Sequence, residues 1–133
     1  MTRTSDHPRV RVGGVKTARL SRKDLLAQMV ADCANARIDA RHIPKLVFTA
    51  NGHSVALSAT DRGFRELLAE ADIVHADGQP IVLASRWLTR TPIPERSATT
   101  DFIHDAAEAA GRHGLRFYLL GGTEEVNARC AEV

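Results

Sequence analysis

The chain has 133 residues, the length of one domain, and its 44% hydrophobic and 26% charged residues are typical of a globular protein. The nine Gly, five Pro and two Cys exclude a collagen-like chain and a disulfide scaffold, and no apolar run approaches the ~20 residues of a membrane span. The formal net charge of +2 is uneven, because residues 1–45 hold ten Lys and Arg against four Asp and Glu.

The first 20 residues are basic and aperiodic, and they lack the apolar stretch of a secretory signal. We expect a flexible arm over residues 1–20, with at most a short strand at 9–12, and a single domain over residues 21–133. Such an arm is either solvated or in contact with an anionic surface. Aromatic residues are only 5% of the chain, so we predict no nucleic-acid partner. Cys33 and Cys130 have no metal-site spacing, which predicts two buried, reduced thiols.

The first predicted helix covers residues 22–36, because Ser21 and Asp24 resemble a capping box and apolar residues then recur at helical spacing. A buried strand follows at residues 46–48 and ends in the Asn51-Gly52 turn signal. The next helix is predicted over residues 61–71. A second strand at 72–76 stops at Asp77-Gly78.

Pro80 favours a helix start, and residues 81–88 are apolar nearly all round, which predicts a largely buried helix. Thr99 or Thr100 is expected to cap a further helix that Gly114 ends. Residues 115–120 predict a third strand, Gly121-Gly122 a turn, and Thr123 the start of a last helix.

Short apolar strands alternating with helices predict an α/β fold: a parallel sheet with helices on both faces, in a Rossmann-like arrangement. Ligands bind such sheets at the carboxyl ends of the strands. Three polar or glycine-rich ends qualify, at residues 49–51, 77–78 and 121–122.

Asp77 is the first candidate, because a partly desolvated carboxylate at a strand end is a competent general base; the alternative is that it caps the next helix. Thr49 and Asn51 are candidates for hydrogen bonds to a sugar or base, or for turn formation. Arg96 suits a phosphate, or an ion pair with Glu95 or Asp101.

Gly121-Gly122 before a helix is a weak phosphate-binding signal. The His75-x-Asp77 pair has no obvious third metal ligand. A dehydrogenase is disfavoured, because no G-x-G-x-x-G follows the first strand.

Six motifs occur in order over about residues 45–133: T-x-N (49–51), F-R-x-x-L (64–68), A-D-x-x-x-A-D-G (71–78), P-E-R (94–96), T-D (100–101) and F-Y-L-L-G-G (117–122). As a set they resemble the WecG/TagA/CpsF family of bacterial glycosyltransferases, glycosyltransferase family 26. Two departures concern the donor pocket: Gln79-Pro80 stands where the family often has glycine and aliphatic residues, and Ala98-Thr99 precedes T-D where Thr-Gly is frequent.

The resemblance implies an inverting enzyme that moves an N-acetylmannosamine-type or related hexose from a UDP-sugar to a polyprenyl-diphosphate-linked sugar. It implies work at the cytoplasmic face of the plasma membrane in surface polysaccharide synthesis, without a metal. Asp77 then corresponds to the family's proposed base. The matching binding residues are Thr49, Asn51, Gly78, Gln79, Arg96, Thr100, Asp101, Gly121 and Gly122.

The family continues beyond the motif that ends this sequence, so we expect a chain that is incomplete relative to the family. An incomplete parallel sheet exposes an apolar edge, which predicts low stability as a monomer, weak activity and a tendency to form homo-oligomers. The alternative to an enzyme is a catalytically inactive remnant that binds a nucleotide or a partner.

Overall fold

The computed structural model describes residues 7–132, which form a mixed α/β structure. Two two-stranded sheets and six helices lie within those residues. The strands are β1 (Arg9–Val12), β2 (Val15–Ala18), β3 (Val47–Ala50) and β4 (Ile73–Ala76). The helices are α1 (Arg22–Ile38), α2 (Gly52–Thr60), α3 (Arg62–Ala69), α4 (Gln79–Leu88), α5 (Thr99–His113) and α6 (Glu124–Glu132).

The β1–β2 hairpin corrects the prediction of an arm over residues 1–20, of which residues 1–6 lie outside the described part. The two strands are antiparallel, with Val12 opposite Val15 across a Gly13-Gly14 loop. Both glycines have positive φ, as the two-residue turns that match strand twist require. Val12 and Val15 are buried in the main core, so apolar burial holds this basic segment against the domain.

The parallel pair β3–β4 lies between two apolar clusters. Val74 and Ala76 of β4 pack with the hairpin, α3 and α4, and Ile73 packs with Leu25 of α1 and Phe102 of α5. All four residues of β4 are buried, which confirms the prediction of a buried strand. In β3, Val47 and Phe48 are 46% and 38% exposed, and Leu46 before them is 41% exposed, so the prediction that the strand at residues 46–48 is buried is wrong.

The third strand predicted at residues 115–120 is not formed, so the described residues contain one parallel pair rather than a Rossmann-like sheet. Strand residues are stable only when their backbone groups pair with a neighbour. Residues 115–120 pair with no strand of the described part, and the Tyr118 and Leu120 residues are 87% and 90% exposed.

Helix boundaries follow the predicted signals in most places. The Ser21–Asp24 capping box is present, and hydrogen bonds from the Ser21 side chain and backbone lower the pKa of the Asp24 carboxyl. The α5 helix ends at Gly114 in the left-handed conformation, as predicted. The Thr123 hydroxyl accepts a hydrogen bond from the Val126 N–H in the first turn of α6.

Four local predictions are wrong. Asn51 is the N-cap of a helix, α2, that begins at Gly52, rather than part of a turn alone. The α4 helix buries only one face, and its Trp87 is 93% exposed. Ala98, not Thr99 or Thr100, is the N-cap of α5 and makes no side-chain cap bond. Neither thiol is buried as predicted, since Cys33 is half-buried and Cys130 is exposed on α6, a helix with no buried residue.

Candidate functional site

The ends of β3 and β4 lie side by side, as the sequence predicts for parallel strands. In the register, Thr49 is opposite His75 and Ala50 is opposite Ala76. The Ala50 carbonyl accepts hydrogen bonds from the N–H groups of Asp77, at 2.9 Å, and Gly78, at 3.2 Å. These bonds join the two predicted strand ends into one surface, which we call the carboxyl edge and define as residues 49–51, 76–78 and 94–98.

At Gly78, the turn that follows β4 packs closely against Asn51, which follows β3. A Cβ atom at this position would lie 3.2 Å from both Cα and Cβ of Asn51, tighter than nearly all Cβ contacts in proteins. Because Gly78 has a φ of −91°, the need for glycine is one of space and not of backbone conformation. The A-D-G turn therefore sets how near Asp77 and Asn51 come to each other.

The loop that carries the P-E-R motif is hydrogen-bonded to the same edge. The Ser97 N–H donates to the Ala76 carbonyl at 2.7 Å, and Ser97 and Ala98 are buried. This contact places Arg96 beside the end of β4. Its Nη2 donates to Oδ2 of Asp101 at 2.9 Å, and both side chains are about half exposed, at 45%. Of the two ion pairs predicted for Arg96, the one with Asp101 is formed. Glu95 instead accepts a hydrogen bond from the Arg22 N–H.

Asp77 does not cap the next helix. The N-cap of α4 is Gly78, and no side chain makes a cap hydrogen bond there. The Asp77 residue is half-buried, and its negative charge acts on His75. With the capping alternative removed, the acidic side chain at this turn has no structural role among the described hydrogen bonds.

His75 is a buried imidazole just before this turn, with Nδ1 lacking a hydrogen-bond partner within residues 7–132. Burial lowers the pKa of His75 below its ordinary value of 6.5, and the Asp77 charge and the Ser97 backbone offset part of that effect. The sequence pattern marked His75 only as half of a pair with no obvious third metal ligand. The predicted burial of β4 is the signal that would have identified His75 as a buried titratable group next to Asp77.

Asn51 has a structural task at the start of α2. Its Oδ1 accepts from the Ser54 N–H at 3.0 Å, and the Ser54 hydroxyl accepts from the Asn51 N–H at 2.8 Å. Three helices, α2, α4 and α5, begin at the carboxyl edge, directly after residues 51, 78 and 98. Their N-termini present partial positive charge, which favours an anion there.

Other predicted site residues lie at the periphery. Gln79 and Thr100 are exposed in the first turns of α4 and α5. Gly121 and Gly122 are exposed, and among residues 7–132 only the Val126 side chain of α6 lies within 4 Å of a Cβ built at Gly122. The described structure therefore joins the first two predicted strand ends and the P-E-R loop, and it does not join the glycine pair to them. Ser97, which hydrogen-bonds the loop to β4, gave no signal in the sequence pattern.

The model of the glycosyl transferase WecG/TagA/CpsF family matches residues 10–133 of this chain. The chain belongs to that family. Membership implies a glycosyltransferase of surface polysaccharide synthesis, with a sugar-nucleotide donor and a lipid-linked acceptor in general terms. The match also begins within β1, so the hairpin that we predicted as an arm is part of the family's domain.

Residues 7–132 hold neither a cluster of metal ligands nor a membrane-spanning helix. No three His, Cys, Asp or Glu side chains between residues 7 and 132 gather closely enough to hold a metal ion. In the same part of the chain, no helix has the length and hydropathy needed to cross a bilayer.

Proposed function

We propose that this protein is an inverting glycosyltransferase that uses a UDP-sugar and that Asp77 is its general base. The donor sugar is an N-acetylmannosamine-type or related hexose, and the acceptor is a sugar on a polyprenyl diphosphate at the inner face of the plasma membrane. The observation that carries the proposal is the carboxyl edge itself, where Asp77, Asn51 and Arg96 are brought together in a chain of this family. We further propose that β3 and β4 belong to a Rossmann-like sheet.

The reaction is a single displacement. An acceptor hydroxyl attacks the anomeric carbon from the face opposite UDP, a new C–O bond forms, and the bond to the UDP oxygen breaks with its electron pair. Asp77 takes the proton of the hydroxyl, a role typically worth about 10²–10⁴-fold in rate. Inversion follows, because one attack from the opposite face reverses the configuration.

The leaving diphosphate needs positive charge, which this chain supplies without a metal in our proposal. Arg96 has a planar, permanently charged guanidinium suited to phosphate oxygens. The N-termini of α4 and α5 add backbone N–H groups at the same edge. Thr49, Asn51, Gly78, Gln79, Thr100 and Asp101 then line the donor site, with Gly121 and Gly122 as its outer residues.

The test is Asp77→Asn, which removes the basic oxygen and keeps the shape of the side chain. We expect turnover with a UDP-sugar and a lipid-linked acceptor to fall by about 10²–10⁴-fold, while calorimetry shows unchanged binding of UDP. Asp39→Asn, at the exposed end of α1, is the matched control and leaves turnover unchanged. Turnover that survives in Asp77→Asn would remove Asp77 from the role of base.

A second candidate function is the nucleotide-binding remnant without catalysis. The exposed position of Gly121 and Gly122 favours it, because part of the expected donor site does not join the carboxyl edge. UDP binding by the parent chain with no turnover of any lipid-linked acceptor would support this function over the transferase.

A further inference from the structure

A basic cavity of the described residues lies away from the carboxyl edge, at the amino end of β4. It has a volume of about 200 Å³ and lies between the hairpin, the α2–α3 pair and β4. One water molecule needs only about 10–15 Å³ of such space, so the cavity has room for a tetrahedral anion. Its charged lining residues are Arg9, Arg11, Lys16, Arg65 and Asp72.

Among the described lining residues of this cavity, basic side chains outnumber acidic ones by four to one. That carboxylate, of Asp72, accepts a hydrogen bond from the Leu46 N–H at 2.8 Å. No ion pair within residues 7–132 neutralises Arg11, Lys16 or Arg65. A second charged groove, between α1 and α5, is different: there Arg22 pairs with Asp105 at 2.7 Å and Arg112 with Glu108 at 2.6 Å.

The arginines of the cavity are held in place by backbone carbonyls. Arg65 Nη1 donates to the Ser58 carbonyl at 2.9 Å and Arg11 Nη1 to the Gly14 carbonyl at 2.8 Å. Arg9 Nη2 donates to the Asp72 carbonyl at 3.0 Å. Each bond restricts a long side chain before any ligand arrives, which lowers the entropy that binding would cost.

The floor of the cavity is apolar. Val15, Leu68 and Val74 line it and are buried, with at most 8% of their surface exposed. Charge interactions are stronger beside such low-dielectric surface than in open water. Arg11 and Arg65 are fixed by backbone carbonyls and make no ion pair within residues 7–132, so they repel each other beside this apolar floor, and an anion between them relieves that repulsion.

We propose that this cavity, which we call the hairpin cleft (Arg9, Arg11, Lys16 and Arg65), is a second anion site that binds a phosphate group. The ligand chemistry is a phosphate carried by a lipid headgroup or free in solution. The proposal does not depend on the transferase reaction, because the cleft and the carboxyl edge lie at opposite ends of β4.

The test compares the parent chain with the double variant Arg11→Gln/Arg65→Gln and the control Arg116→Gln, an exposed arginine beyond α5. In the first arm, inorganic phosphate is titrated against chloride of equal ionic strength while the unfolding temperature is measured. We expect phosphate to raise Tm in the parent and the control, and the rise to vanish in the double variant. The quantity compared is the rise in Tm that phosphate causes in each variant. Any lower starting Tm from the lost hydrogen bonds to Ser58 and Gly14 therefore does not affect the comparison.

In the second arm, cosedimentation is measured with vesicles of phosphatidylglycerol in phosphatidylcholine and with phosphatidylcholine alone. A lipid-headgroup source predicts binding to the anionic vesicles that is about fivefold weaker for each basic residue removed. A phosphate response without vesicle binding identifies a soluble phosphate as the ligand.

Three results would overturn the proposal. The first is no response to phosphate or to anionic vesicles. The second is an equal response in the parent and the double variant. The third is a phosphate response that Arg96→Ala abolishes and the double variant keeps, which would assign the anion to the carboxyl edge.

Discussion

In the proposed function, donor binding at the carboxyl edge depends on Arg96. Its guanidinium contacts the Asp101 carboxylate at 2.9 Å in a half-exposed pair, and exposed pairs contribute little to stability. A diphosphate carries more negative charge than one carboxylate, so we expect the guanidinium to turn to the donor when it binds. The ion pair then holds Arg96 near the site between turnovers.

We predict that Arg96→Ala weakens UDP binding by about 10- to 150-fold, the range for hydrogen bonds to charged groups. Isothermal titration calorimetry with UDP measures this directly. The control is Arg116→Ala, because Arg116 is exposed and outside the carboxyl edge. Equal affinity in the parent and Arg96→Ala would show that Arg96 serves only its pair with Asp101.

His75 makes the stability of the folded chain depend on pH. Burial lowers its pKa below the ordinary value of 6.5. Below pH 6.5 the unfolded chain therefore binds more protons at this residue than the folded chain does, and acid favours unfolding. Above pH 6.5 the imidazole is neutral in both states and the effect disappears.

We expect the free energy of unfolding to fall from pH 7 to pH 5, and to fall less in His75→Phe. Urea unfolding at pH 7, 6 and 5 measures both slopes. The exposed His53 gives the control, because His53→Gln should keep the parent slope. If His75→Phe and the parent have the same slope, the buried imidazole is not the group that titrates.

At the scale of elements, the contact between the turn after β4 and the start of α2 sets the spacing of the carboxyl edge. A methyl group at Gly78 would press on Cα and Cβ of Asn51, which starts α2. We predict that Gly78→Ala destabilises the fold by about 1–3 kcal/mol, the usual cost of overpacking. It should also weaken UDP binding, because it separates the Asp77 turn from the Asn51 turn.

Gly111 provides the matched comparison. It lies inside α5, and nothing is within 4 Å of a Cβ built there. Alanine is a better helix former than glycine by roughly 1 kcal/mol, so Gly111→Ala should stabilise the chain. Urea denaturation of the two variants gives opposite signs; a neutral Gly78→Ala would mean that the two turns can move apart freely.

Sequence patterns identified the elements whose signals are local. The Ser21–Asp24 capping box and the Gly114 helix end depend on residues a few positions apart, and both are present. The polar ends at Asn51 and Asp77 were found because each directly follows an apolar strand. Asn51-Gly52 was ambiguous, since asparagine is common in turns and at N-caps alike.

The features that sequence patterns missed depend on distant contacts. The hairpin around Gly13-Gly14 was not predicted, because the basic residues of this segment suggested an arm although Val12 and Val15 are buried. Residues 115–120 have strand composition, and a strand also needs a partner, which composition does not specify. The hydrogen bond from Ser97 to Ala76 crosses 21 positions of sequence and could be found only in the folded chain.

The whole molecule exposes more surface than its mass requires. Its accessible surface is 9430 Å², whereas a compact monomer of 14.5 kDa exposes about 6,900 Å². Four exposed apolar or aromatic residues follow one another near the end of the described chain, at Phe117, Tyr118, Leu119 and Leu120. Exposed apolar segments of this kind promote association between molecules.

We predict that Leu120→Lys reduces self-association of the 133-residue chain and leaves its free energy of unfolding unchanged to within about 0.5 kcal/mol. The side chain is 90% exposed, so little packing is lost, and the added charge opposes apolar contacts between copies. Sedimentation velocity at several concentrations measures the association, and urea unfolding measures the stability. Ile93→Ala is the contrasting variant: Ile93 is 1% exposed in the main core, and its truncation should cost about 2–5 kcal/mol. A comparable loss of stability in Leu120→Lys would show that residues 115–120 pack against the sheet in solution.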